Sequence, residues 1–144
     1  IEAAFQREVY RKVEAGESLS ADDLNQIFTK KLEEFWGDSV KLVDGSELTW
    51  MRQPHYYMGL YPYTYQAGLT IGTVISDKIV NGSKKDVDTW IDVLKLGGSV
   101  GPIDLAKAAG VDMTNTKAIS ETVAFIGSLV DQIDELCQKL GMYK

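Results

Sequence analysis

Apolar residues recur at helical intervals along most of the chain, and glycine or proline interrupts them at regular distances. In "IEAAFQREVYRKVEAG" the residues Ile1, Phe5, Val9 and Val13 stand four apart, and Gly16 is placed to close the helix. The next run, "SLSADDLNQIFTKKLEEFWG", offers Ser20 as an N-cap and Asp22–Asp23 at the positive end of the helix dipole. Leu24, Ile27, Phe28, Leu32 and Phe35 form its apolar stripe, and Gly37 ends it. "GDSVKLVDGSELTW" is the least regular stretch; it reads as a connection with a turn at Asp44-Gly45 rather than as a strand. A long helix is predicted from Pro54 to about Val80, kinked at Pro62, where the missing N–H leaves the Met58 carbonyl without its helical partner. Ser83 caps "KKDVDTWIDVLKL", which ends at Gly97-Gly98; Pro102 opens "IDLAKAA", which ends at Gly110. The last helix is predicted over about Lys117–Leu140, with Ile119, Val123, Ile126, Val130, Ile133 and Leu140 facing the core. The pattern as a whole describes an all-α fold, a multi-helix domain over residues 1–144 without internal repeats or low-complexity linkers.

The aromatic distribution changes this picture. Five of the seven tyrosines and the one histidine fall within "WMRQPHYYMGLYPYTYQAG", between Trp50 and Gly68. On a continuous helix Tyr57, Tyr61 and Tyr65 share one face, and Gly68 and Gly72 leave that face bare for a second backbone or a ligand. Such a face can be a packed aromatic seam whose hydroxyls reach solvent or backbone. It can also be a set of donors, imidazole and phenols, aimed at an oxyanion.

Composition removes several functions. A formal net charge of -6 supplies no basic field for nucleic acid. No apolar run approaches the roughly 20 residues of a membrane span. The one cysteine, Cys137, excludes an internal disulfide, suits a reducing compartment, and stands among Ile133, Leu136 and Leu140 as an expected buried thiol. One histidine and one cysteine cannot build a zinc site from nitrogen and sulfur ligands, and no H-E-x-x-H, nucleophile elbow or phosphate loop is present. Asp86, Asp88 and Asp92 lie on a helix, without the glycine turn of a calcium loop. The chain opens on Ile1 with helical periodicity already under way, so it is expected to be a piece of something longer, catalytically silent by itself.

The tyrosine window resembles the C-terminal part of the oligoendopeptidase F family, the thimet-oligopeptidase-like zinc metallopeptidases that cleave short peptides inside cells. The family pattern W-x-R-x-P-H-x-x-x-x-x-Y-x-Y-x-Y-x-x-G is met by Trp50, Arg52, Pro54, His55, Tyr61, Tyr63, Tyr65 and Gly68 without insertion or loss. "GESLSADDLNQIF" is similar to the family's upstream helix pair, and "VLKLGGSVGPIDLAKAAGVDMTN" to its tail, so the likeness covers nearly the whole chain. The resemblance implies a C-terminal helical portion of a zincin-type catalytic domain in a cytoplasmic oligopeptidase. It implies a zinc ion held outside this chain, by the histidines of an upstream H-E-x-x-H and a glutamate. It assigns His55, Tyr61 and Tyr65 to the scissile carbonyl or its oxyanion, and Tyr57 and Tyr63 to substrate binding. The implied partners are the remainder of the catalytic domain and short peptides; where apolar surface is left exposed, self-association is expected. A reading from another class is a free-standing helical domain with a peptide groove along Tyr57, Tyr61 and Tyr65.

Overall fold

The computed structural model describes residues 1–142. Seven α-helices follow in order: α1 (Glu2–Glu14), α2 (Ala21–Trp36), α3 (Thr49–Arg52), α4 (Pro62–Asn81), α5 (Lys84–Leu96), α6 (Pro102–Ala108) and α7 (Lys117–Lys139). Short 3₁₀ turns cover Gly37–Ser39, Ser46–Leu48 and Pro54–Tyr57, and no strand occurs among the described residues. The all-α expectation holds. The residues divide into two compact units, Ile1–Gln66 and Ala67–Lys144, with the boundary inside α4.

In the first unit, the stripes of α1 and α2 supply Phe5, Ile27 and Phe28 to a core completed by Tyr56 and flanked by Ile1, Val9, Leu19, Leu24, Leu32 and Trp50. Phe5 meets Phe28 and Tyr56 edge-on, with ring centroids 5.1 and 5.3 Å apart, an arrangement that aligns the positive ring edge with the negative face. Both stripes run out at their C-terminal ends, where Val13 and Phe35 are exposed. Ser20 caps α2 reciprocally with Asp23: the Asp23 N–H donates to Ser20 Oγ (3.2 Å) and the Ser20 N–H to Asp23 Oδ2 (2.8 Å). Lys31 bridges the two helices, 2.9 Å from Glu8 on α1 and 3.0 Å from Glu34 on its own helix. The indole N–H of Trp50 donates to Asn25 Oδ1 at 2.9 Å and so fastens α3 to α2.

The second unit has its own core of Ile75, Val93, Ala109, Val111 and Ala118, with Ile71, Val74, Trp90, Leu105 and Met113 around it. Ser83 opens α5 with Asp86, and Gly97 ends it at φ +54°, a left-handed conformation that a Cβ would strain. Asp112 accepts from the Thr114 N–H, the Thr114 hydroxyl and Asn115 Nδ2, and this folded turn leads into α7.

Two expectations need correction. The predicted core face of α7 lies open: Ile119, Val123, Ile126, Val130, Ile133 and Leu140 are all exposed, and α7 buries Ala118 and Thr122 instead. The face is apolar, as its spacing requires, but the described residues do not cover it. For the same reason Cys137 is only partly buried, beside exposed Leu136 and Leu140.

Candidate active site

The predicted long helix from Pro54 is in fact two pieces. Pro54 starts one 3₁₀ turn, Pro54–Tyr57, and Pro62 is the first residue of α4. Between them Met58 is extended and Leu60 takes φ +53°, the only positive φ at a non-glycine residue among those described. Pro62 therefore breaks the chain instead of kinking a helix. It has no N–H to offer Met58, and its ring disfavours helical geometry at Tyr61. The Tyr61 N–H turns back to the Met58 carbonyl at 3.2 Å, and the Tyr61 carbonyl accepts from the Thr64 N–H (3.0 Å) and hydroxyl (2.6 Å) to open α4.

The break assembles a cluster that a straight helix would have spread out. The His55 ring stacks on Tyr61, centroids 5.1 Å apart and 21° from parallel. Tyr65, one turn into α4, meets His55 at 5.7 Å and Tyr61 at 5.5 Å, both edge-on. The three rings are mutual neighbours, with His55 half-buried and Tyr61 and Tyr65 exposed at 39% and 57%. The Tyr61 phenol, chiefly by hydrogen bonding, holds the Tyr65 hydroxyl above the ordinary phenol pKa. At neutral pH that hydroxyl is a proton donor.

The other two predicted residues stand apart. Tyr57 is largely exposed, at the last position of the 3₁₀ turn. Tyr63 lines a separate open depression of about 330 Å³ with Ala3, Gln6, Arg7, Leu60 and Gln66. Tyr56, next to His55 in sequence, points into the core, and its hydroxyl is buried without a close partner. Burial first, and the negative charge of Glu2 second, push its pKa well above the usual phenol value.

One participant escaped the sequence reading. Gln6 on α1 is 3% exposed, and its Nε2 donates to the carbonyls of Tyr56 (3.1 Å) and Met58 (2.9 Å), with the Tyr10 hydroxyl at 3.3 Å. Nothing in the α1 pattern marks it, because its partners are some fifty residues away.

No group of three or more His, Cys, Asp or Glu side chains among the described residues is arranged to hold a metal ion. The residues present do not fit a zinc site. Gly68 and Gly72 are open: a Cβ at either would meet nothing within 4 Å, and both line a depression of about 540 Å³ with Leu69, Thr73, Ser76 and Phe125. Among the described residues no helix is long and apolar enough to cross a membrane.

The sequence profile of peptidase family M3 matches residues 1–125. Oligopeptidase PepF of Bacillus subtilis is 33% identical over 138 residues, 96% of this chain and 21% of that protein. The plasmid oligoendopeptidase F of Lactococcus lactis subsp. cremoris is 28% identical over 137 residues, 95% of this chain and 23% of its own length. The crystal structure of oligoendopeptidase-F from Enterococcus faecium superposes with a TM-score of 0.88 at 26% identity, covering 95% of this chain and 26% of that one. The chain thus spans about a fifth to a quarter of the length of these relatives.

Proposed function

Since the chain belongs to peptidase family M3, we propose that residues 1–144 are the C-terminal part of an oligoendopeptidase catalytic domain and form the wall of its cleft opposite the metal. The observation that carries this reading is the mutual packing of His55, Tyr61 and Tyr65 within 5.7 Å, with both phenols open to the outside. Peptide-bond hydrolysis places negative charge on the former carbonyl oxygen. Donors already aimed at that oxygen stabilise it more than they stabilise the substrate. In this assignment Tyr65 and Tyr61 donate their hydroxyl protons to the oxyanion. His55 orients both rings and contacts the same oxygen or the adjacent peptide. Tyr57 and Tyr63, outside the cluster, contact the peptide on either side of the scissile bond.

A zinc ion belongs to this proposal only through the rest of a longer chain. The proposed partners are that remainder and short peptides, in a cytoplasmic enzyme. The break at Pro62 weighs against a free-standing peptide groove, because Tyr57, Tyr61 and Tyr65 do not share one continuous helix.

The test is turnover of a quenched short peptide by the intact peptidase. Tyr65→Phe and His55→Ala should each lower kcat about 10²-fold, the usual effect of losing one oxyanion donor, with zinc content unchanged. Unchanged turnover in both variants would remove the assignment.

A further inference from the structure

The geometry points to Gln6 as a positioning residue, one that fixes His55 and Tyr61 by bonding the two carbonyls that lose their helical donors at the chain break. This inference rests on the functional reading above. In a continuous helix the Tyr56 carbonyl would accept from the N–H of residue 60 and the Met58 carbonyl from that of residue 62. Leu60 is turned away at φ +53°, and residue 62 is a proline with no N–H to give. Gln6 supplies both missing donors from one side-chain amide, at 3.1 and 2.9 Å. A primary amide carries two N–H groups, so the match to two carbonyls is complete, and the Tyr10 hydroxyl lies further off at 3.3 Å.

The location of these bonds gives them leverage. Tyr56 follows His55 directly, and Met58, beyond Tyr57, begins the turn that returns Tyr61 to the His55 ring. The Met58 N–H donates to the His55 carbonyl at 3.2 Å, while the Met58 carbonyl takes both the Tyr61 N–H and Gln6. One buried amide on α1 is therefore bonded to the carbonyl of the residue after His55 and to the carbonyl that also receives the Tyr61 N–H. Gln6 follows Phe5, whose ring packs against Tyr56, so α1 grips this segment through a ring and through an amide at adjacent positions. An apolar residue at position 6 would fill the same space, leave the Tyr56 carbonyl unpaired and leave the Met58 carbonyl with the Tyr61 N–H alone.

The experiment uses the intact peptidase and four variants: Gln6→Met, His55→Ala, the double variant, and Val9→Ala. Gln6→Met keeps the length of the side chain and removes both donors. Its kcat should fall on the order of tenfold with KM little changed, because misplacement of the cluster is felt mainly in the transition state. In the His55→Ala background the same substitution should lose most of its effect, since it acts through a cluster already dismantled. Val9→Ala thins the same core without touching either carbonyl and should keep kcat below its melting temperature. An independent readout in the unsubstituted enzyme is the Gln6 side-chain amide in a glutamine-labelled sample, where slow hydrogen exchange is expected. Full kcat in Gln6→Met, an equal fold-loss with and without His55, or fast exchange of that amide would each overturn the role of Gln6. If Gln6→Met is silent while His55→Ala lowers turnover, the positioning role fails and the active-site assignment stands. If His55→Ala and Tyr65→Phe are both silent, the active-site assignment fails and takes the positioning role with it.

Discussion

His55 and Tyr56 are adjacent, yet one joins an open cluster and the other enters the core at 7% exposure. The 3₁₀ turn sends consecutive side chains in different directions, so neighbours in a run of aromatics acquire different chemistry. Tyr56 has a measurable consequence. The folded state holds its proton more tightly than the unfolded chain does, because burial and Glu2 disfavour the phenolate. Its contribution is fully present below about pH 10, the unfolded phenol value, and is lost as pH rises above it. Unfolding midpoints measured from pH 8 to 11.5 should fall on the alkaline side, and Tyr56→Phe should reduce that fall. At neutral pH the same substitution should cost little, since the hydroxyl it removes is buried without a close partner. Spacing alone puts Tyr57, Tyr61 and Tyr65 on one face of a helix and does not bring together His55, Tyr61 and Tyr65. Their actual meeting depends on Leu60 at positive φ and on Gln6, and neither leaves a periodic signal.

Helix starts and stops are the part of the fold most legible in sequence, because the signals are local. Ser20 and Ser83 stand where they were expected, each three residues before an aspartate that accepts the serine's own N–H and hydroxyl. These bonds hold Asp23 and Asp86 below the usual carboxylate pKa, with the Ser20 hydroxyl foremost for the first and the Ser83 N–H for the second. The sign follows directly. Stabilisation by a depressed carboxylate is present above its unfolded value of about 3.9 and is lost as pH falls through the folded value. Ellipticity at 222 nm should therefore decline as pH drops from 5 toward 2. An Asp23→Ala/Asp86→Ala variant should be less stable at pH 7 and show a shallower acid-side decline. Ser20→Ala should cost about 1 kcal/mol in the same assay. Pro62 shows where local reading fell short. A proline is compatible both with a kink inside a helix and with the first turn of a new one. The choice goes with the turn at Leu60 and with a glutamine on another helix that bonds the carbonyls a break deprives of their helical donors.

At the scale of the whole molecule, the exposed stripe of α7 is the largest departure from expectation. Ile119, Val123, Ile126, Val130, Ile133, Cys137 and Leu140 alternate spacings of four and three, the seam of a helix meant to be packed, yet Val130 remains 59% exposed. The relatives are four to five times longer than this chain, and we propose that the additional protein covers the stripe. The chain prepared by itself should then associate reversibly with rising concentration, seen by sedimentation velocity. Val123→Lys/Val130→Lys should abolish that association and leave the helical signal intact. A monomer at all concentrations in the unsubstituted chain would show that the stripe is not adhesive.

The sequence by itself determined the helical class, most helix boundaries and the apolar faces, because periodicity and capping act within a few residues of one another. It also carried the family, through the long spaced pattern from Trp50 to Gly68. Tertiary structure alone decided which apolar faces are covered, since burial depends on what lies opposite a face and not on the face itself. It also decided how the tyrosines gather around His55. That arrangement requires a backbone break whose displaced carbonyls receive a donor from α1, on a residue some fifty positions earlier in the chain.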